Sequence, residues 1–261
     1  MDFKDLKRMF PHATSDTWHR HSNGGGWIEN TATVADTAYV GPDALVCDQA
    51  GVYDQAEIYW HAQVRGRAEI YGQAQVRGRA EVYDQAQVCG TAQVYDQARV
   101  YGQAQVYGQA RVSGHAQVYG QARVSGHAQV CGTAQVYDQA RVYGQAEVYG
   151  VAIVLGRARI YGTAIVLGQV RVSGQVSIHG GIWSEVPLMI KGTRHTLCVC
   201  SPTEIAIGCE VHSVEHWLER YEEIGKANGY TDEDIAEYRY LIDVAAEWMK
   251  VRMPACLEQE Q

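Results

Sequence analysis

The feature that most constrains this chain is a six-residue period that runs from Ala32 to Ile182 without a break. Its consensus is A-x-V-Y-G-Q, intact at Ala104-Gln105-Val106-Tyr107-Gly108-Gln109. Alanine opens all 23 hexads from Ala32 to Ala164, and Val170, Val176 and Ile182 continue the register. Two places after each opening, from Val34 through Val172 to Ile178, stands a β-branched residue. A short fixed period of this kind implies a solenoid, because one unit alone cannot bury its apolar side.

On an extended strand, residues two apart share a face, so Ala and Val of each hexad point inward together. The residue between them, and the Tyr, Ser or Cys after them, point outward. Gly or Asp then turns a corner, where glycine tolerates backbone angles that other residues resist. Three hexads per coil give a triangular prism of 18 residues per turn. With strands about 4.8 Å apart, 8 to 9 such coils span roughly 40 Å. Each buried Val contributes about 2 kcal/mol, so the core is strong and monotonous.

This pattern resembles the hexapeptide-repeat proteins, a group that includes trimeric acyltransferases and the gamma carbonic anhydrases. The family motif sets a small residue four places after an aliphatic one, as with Val106 and Ala110, commonly with Gly directly after the aliphatic. Here Tyr107 occupies that slot and glycine follows at Gly108. The resemblance covers roughly Thr31 to Trp183, and the variant also resembles uncharacterised repeat proteins of bacteria and their prophages. It implies a mainly β fold, a left-handed parallel β-helix with three hexads per coil, assembled as a homotrimer.

Three segments are expected. Residues 1–30 form an N-terminal arm and cap. Phe3, Leu6, Met9 and Phe10 make a short amphipathic turn, His12 to Gly26 reads as a flexible arm, and Trp27 and Ile28 cover the first coil. Residues 31–183 form the β-helix. Residues 184–261 form a small α+β cap, with short strands at Pro187–Ile190, Thr193–Cys200 and Glu204–Cys209. Two helices follow, capped by Ser213 and Thr231. Asn228-Gly229 ends the first and Pro254 the second, leaving Leu257–Gln261 frayed.

Charge is unevenly distributed. Residues 98–182 carry 7 basic side chains against Asp138 and Glu147, a net of +5, while residues 1–97 total −5 and residues 183–261 total −8. A positive band between acidic ends speaks for an anionic partner, and the acidic ends argue against a long nucleic acid. The charged N-terminus lacks the apolar run of a signal peptide, and no segment reaches membrane-spanning length. With seven cysteines, an odd number, a cytoplasmic protein with reduced thiols is expected.

Stacked coils turn a spacing of 18 into vertical neighbours. Arg123, Arg141 and Arg159 then form one column, flanked by Tyr107, Ser125, Tyr143 and Tyr161, with Arg157 two residues before Arg159. Forked guanidiniums suit phosphate or carboxylate, and tyrosine rings suit stacking. The competing reading is a solvated face with Arg chosen for solubility. A second column, Tyr83, Tyr101, Tyr119 and Tyr137, with Gln85, Gln103, Gln121 and Gln139 at its corner, reads as a structural ladder.

The histidines do not read as catalytic. His61 and His115 share a corner three coils apart, His127 falls on another corner and His179 on a face. None has an obvious acidic partner to orient it as a general base. The family's acyltransferases usually place a catalytic His near a loop that leaves the coil, and this solenoid has none; the carbonic anhydrases' three-histidine zinc set is unmatched. In the cap, His195, Cys198, Cys200, Cys209 and His212 are ligand types suited to zinc, yet Cys198 and Cys200 alternate with Leu197 and Val199 as in a buried strand. Arg194, His195 and His212 could instead form a small polar pocket.

The expected function is therefore a non-catalytic, trimeric β-helix that binds or sequesters an anionic, nucleotide-like small molecule, in the manner of a prophage-encoded anti-defence protein. The candidate binding residues are Arg123, Arg141, Arg159, Arg157, Tyr143, Tyr161, His127, Arg194 and His195. No cofactor or metal is assigned. The alternatives are a coenzyme A-dependent acyltransferase and a structural assembly scaffold.

Overall fold

A computed structural model describes residues 1–253. The expected stop at Pro254, the thiol of Cys256 and the Leu257–Gln261 tail lie outside the described residues.

The repeat folds into a parallel β-solenoid of about nine turns whose three walls are parallel sheets. Each two-residue strand pairs with those one coil below and above. Arg123–Val124, for example, lies between Gln105–Val106 and Arg141–Val142, an offset of 18 residues in each direction. Ala and Val point inward as their spacing requires, and from Ala38 to Val166 the inward Ala, Val and Ile residues are 0% exposed. Backbone amides climb the same ladder, as where Tyr107 N donates to Val124 O at 3.0 Å and Gln109 N to Gly126 O at 2.8 Å. No amide on such a rung depends on side-chain chemistry, so the outward residues are free to vary.

The corner position adopts a left-handed conformation, φ 72° at Gly108 and φ 58° at Asp138. Aspartate substitutes for glycine here with a compensating bond. The Asp84 and Asp138 carboxylates each accept the amide of the glycine one coil above, Gly102 and Gly156, at 3.1 Å. One corner breaks this rule. Trp60 holds φ 59° with neither glycine's freedom nor a carboxylate, a conformation that costs an L-residue about 1–2 kcal/mol.

Both ends depart from the sequence reading. The N-terminal segment is a folded cap rather than a flexible arm. Helix α1 (Phe3–Met9) starts in a reciprocal capping box between Asp2 and Asp5, and Trp18–Arg20 pairs antiparallel with Trp27–Glu29. Leu6, Ala13, Trp18, Trp27, Leu45 and Cys47 make its small core. The glycines serve close approach here, since a Cβ on Gly26 would lie 2.4 Å from Val40 Cγ1. Trp27–Ile28 then pairs parallel with Leu45–Val46 and lays the first rung of its wall.

At the other end the hexad register fails one residue early. Ile182 pairs with Ile165 in the outward position and is 67% exposed, whereas Trp183 pairs with Val166 and is 2% exposed. The corner at Gly180-Gly181 is one residue short, which rotates the indole inward over the last coil. Its Nε1 donates to Gly180 O at 2.6 Å.

The C-terminal cap is a four-stranded antiparallel sheet, Met189–Lys191, Thr196–Val199, Glu204–Ile207 and Glu210–Ser213, with two helices. The fourth strand was not expected. Gly208, at φ 63°, turns the chain back where the sequence suggests one strand running on to Cys209. Ser213 caps α2 (Val214–Ala227), and Thr231 with Asp234 caps α3 (Asp232–Arg252). Leu197, Val199 and Ile205 join Trp217, Ile242 and Met249 in a core continuous with that of the solenoid. No described helix is long and apolar enough to cross a membrane.

Candidate functional site

The outward slot between Ala and Val places Arg123, Arg141 and Arg159 one above another on a single wall, in direct strand register, with Ser177 above them. All three are exposed. Neighbouring guanidiniums one rung apart repel by up to about 1 kcal/mol in water. Among the described residues none of the three has an ion-pair partner. Two residues along each strand, Tyr143 and Tyr161 stack with ring centroids 5.0 Å apart and planes 4° apart. The arrangement pairs a column of unneutralised forked donors with a parallel aromatic column.

The nine candidate residues divide among three places. Arg123, Arg141, Arg159, Tyr143 and Tyr161 share the wall just described, and Arg157 adjoins it at the corner, where its Nε donates to Gln139 Oε1 at 3.2 Å. His127 turns at the far edge of that wall, in a hollow with Thr91, Gln109, Arg111 and Gln129. Arg194 and His195 belong to the cap. Arg194 is engaged there, donating to Gly229 O at 2.6 Å and lying over the Tyr230 ring at 4.6 Å. His195 lines a cavity of about 70 Å³ with Tyr230, Tyr238 and Trp217. That space suits on the order of five waters rather than a nucleotide. Burial, with Tyr238 beside it, pushes the Tyr230 hydroxyl up to about 12.

Of the four solenoid histidines expected to lack an acidic partner, His179 has one. Its Nε2 lies 2.5 Å from Glu204 Oε2, a residue 25 positions on that the cap folds back over the last coil. Sequence spacing held no trace of this pair because it crosses the junction between two differently built segments. His179 also stacks on Tyr161 at 5.3 Å, extending the aromatic column into the cap. Its Nδ1 is buried without a partner, so the ring presents no free nitrogen to a substrate and serves as a clamp. Burial raises the Glu204 carboxyl, but hydrogen bonds from His179 and Ser201 outweigh it and hold it below the usual carboxylate value. A depressed folded-state value stabilises the fold above the unfolded value and is lost as pH falls through the folded one. Wild type should therefore lose cap stability below pH about 4.5, and Glu204→Gln should flatten that acid limb; thermal melts from pH 7 to 3 read the difference.

The second column is a stack. Tyr83, Tyr101, Tyr119 and Tyr137 lie 4.7–4.9 Å apart with planes within 8°. Arg65 covers its lower end, 4.5 Å from the Tyr83 ring. Gln121 and Gln139 each donate to the glutamine one coil below at 3.4 Å, two of the three links of the amide ladder that the sequence suggests. Burial, then the stacked neighbours, push the Tyr119 hydroxyl up to about 12.

The cysteine and histidine set of the cap does not converge. Among the described residues, three potential ligand atoms lie within 4.8 Å of one another only at Glu29, Cys47 and Asp48. There the Glu29 carboxylate already accepts Asp48 N at 2.6 Å, and burial pushes the Cys47 thiol up to about 12. Cys198 and Cys200 are also buried and pushed up to about 12, the opposite of what a thiolate ligand or nucleophile needs. One residue missed in the sequence is Trp60. Its signal was available as the one corner from 48 to 174 that holds neither Gly nor Asp.

Compared with known protein families, curated proteins and solved structures, the chain finds no match.

Proposed function

We propose that this protein is a non-catalytic β-solenoid that binds an anionic, nucleotide-like small molecule on the wall of Arg123, Arg141 and Arg159. The observation that carries this reading is the in-register run of three exposed guanidiniums with no ion-pair partner among the described residues. Their forked donors suit phosphate, and the stacked Tyr143 and Tyr161 rings beside them suit a planar base. A homotrimer would bring such walls together and concentrate the charge. Sequestration of a signalling nucleotide, by a prophage-encoded protein in the cytoplasm, is the role that fits binding without turnover.

Calorimetric titration with adenosine nucleotides and with inorganic pyrophosphate tests the reading. Wild type is expected to bind both, and Arg141→Ala to weaken both by about tenfold, the worth of one charge-assisted contact. Equal affinity in wild type and variant, or no binding by wild type, would sink it. Acyl transfer from coenzyme A is the alternative, and thiol release from acetyl-coenzyme A would favour it. An assembly scaffold is supported by the flat stack of Tyr83, Tyr101, Tyr119 and Tyr137. A monomeric mass in solution would count against both the scaffold and the trimer.

A further inference from the structure

Trp60 stands at a corner where every other non-glycine residue with positive φ is an aspartate: Asp48, Asp54, Asp84, Asp96 and Asp138. Each of those aspartates relieves its position by accepting the amide of the glycine one coil above, at 2.9–3.1 Å. The Trp60 indole has no carboxylate to make that bond. It is 58% exposed, so burial does not compensate the strained backbone. A strained, exposed aromatic residue is where a functional constraint is to be sought.

Its surroundings state what that constraint could be. Trp60 lines a hollow of about 470 Å³ with Tyr39, Tyr59, Pro42, Asp43 and Glu57. The rings stand as walls at steep angles. Tyr39 and Tyr59 lie 6.4 Å apart at 68°, and Tyr59 and Trp60 lie 5.4 Å apart at 77°. This contrasts with the near-parallel rings of the Tyr83–Tyr137 stack, where each face is covered by the next. Here no ring stacks flat on another, Tyr39 is 37% and Trp60 58% exposed, and all three rings line one open space. Two carboxylates complete it. Asp43 holds the Met1 ammonium, and Glu57 accepts Gln75 Nε2 at 2.8 Å. That ammonium neutralises Asp43, so among the described residues Glu57 is the carboxylate of the hollow without a cationic partner. The site lies in the acidic first third of the chain, away from the arginine wall.

From this geometry we infer that Tyr39, Tyr59 and Trp60, with Glu57, form a binding site for an alkylated ammonium group. Aromatic faces at an angle, with a carboxylate nearby, favour a large, weakly hydrated cation over a compact, strongly hydrated one. The ring faces contact the methyl groups, and the carboxylate supplies long-range attraction. The inference is independent of the anion-binding reading, since it shares no residue with the arginine wall. It also accounts for Trp60: glycine would suit the corner better but would remove a wall of the site.

Calorimetric titration of the full chain with tetramethylammonium chloride, against ammonium chloride as a control, tests the site. Wild type is expected to bind tetramethylammonium saturably in the millimolar range and to show no saturable heat with ammonium. Trp60→Gly should weaken tetramethylammonium binding by about tenfold while raising Tm by about 3 °C, because it releases strain. Glu57→Gln, which can still accept from Gln75, should weaken binding with Tm unchanged. Titration with a trimethyl-lysine peptide shows whether the group arrives on a protein, by binding more tightly than tetramethylammonium, or on a small molecule, by binding no better. Absence of saturable tetramethylammonium binding, an equal response to ammonium, or unchanged binding in Trp60→Gly would overturn the inference. A lower Tm in Trp60→Gly would overturn it too, by making the indole a packing residue.

Discussion

Trp183→Ala is expected to destabilise the protein by about 3–5 kcal/mol, the cost of emptying a large buried aromatic site. Trp183 sits where the hexad series runs out. Below it lies Val166 in the last full coil, and above it lies the cap. An open solenoid end would expose both the Ala and Val core and the unpaired edge of a wall. Trp183 covers the core with its indole and extends the wall with its backbone, where Leu167 N donates to Trp183 O at 3.0 Å. The side chain is 2% exposed, so truncation leaves a cavity that neighbouring strands, fixed by their ladders, cannot collapse to fill. Urea unfolding followed by circular dichroism measures the effect as a lowered midpoint. Trp183→Phe should recover more than half of the loss. A cost under about 1 kcal/mol for the alanine variant would mean that the cap, not the indole, closes the solenoid.

The second large effect is expected at a corner. Gly108→Val should cost about 3 kcal/mol, combining a left-handed β-branched residue with a close contact. The corner has φ 72°, and a Cβ there would lie 3.1 Å from Gly126 N and 3.3 Å from Gly126 O, both fixed backbone atoms. Gly108→Asp meets the same space, yet should be nearly neutral. Five corners of this chain already hold aspartate, and a carboxylate at 108 can accept the Gly126 amide as Asp84 accepts that of Gly102. The pair of variants separates the two roles of the position under one denaturation assay. Equal costs for Val and Asp would show that the interrung hydrogen bond contributes nothing.

Much of the candidate site was legible because a fixed period makes distance calculable. The register of Arg123 with Arg141 and Arg159, and the stacking of Tyr143 on Tyr161, follow from an 18-residue coil once the period is seen. The helix starts at Ser213 and Thr231 were legible for a local reason, since each cap bonds an amide three residues on. What escaped the sequence lies where the period stops. The N-terminal glycines looked like flexibility, but Gly24 and Gly26 serve close packing against Val40. Ile182 looked like a core residue, and one missing corner residue turned it outward. The His179–Glu204 pair could not be inferred, because the cap's return path over the solenoid is not encoded in any spacing.

By itself, then, the sequence determined a stacked three-walled solenoid, its inward Ala and Val, and the columns of its outer surface. These rest on a repeating local geometry in which each strand meets an identical neighbour. Only the tertiary structure decided how the two ends close, that His179 meets Glu204, and that Tyr39, Tyr59 and Trp60 line one hollow. Those features depend on contacts between unlike segments, where packing and burial rather than period fix which side chain meets which.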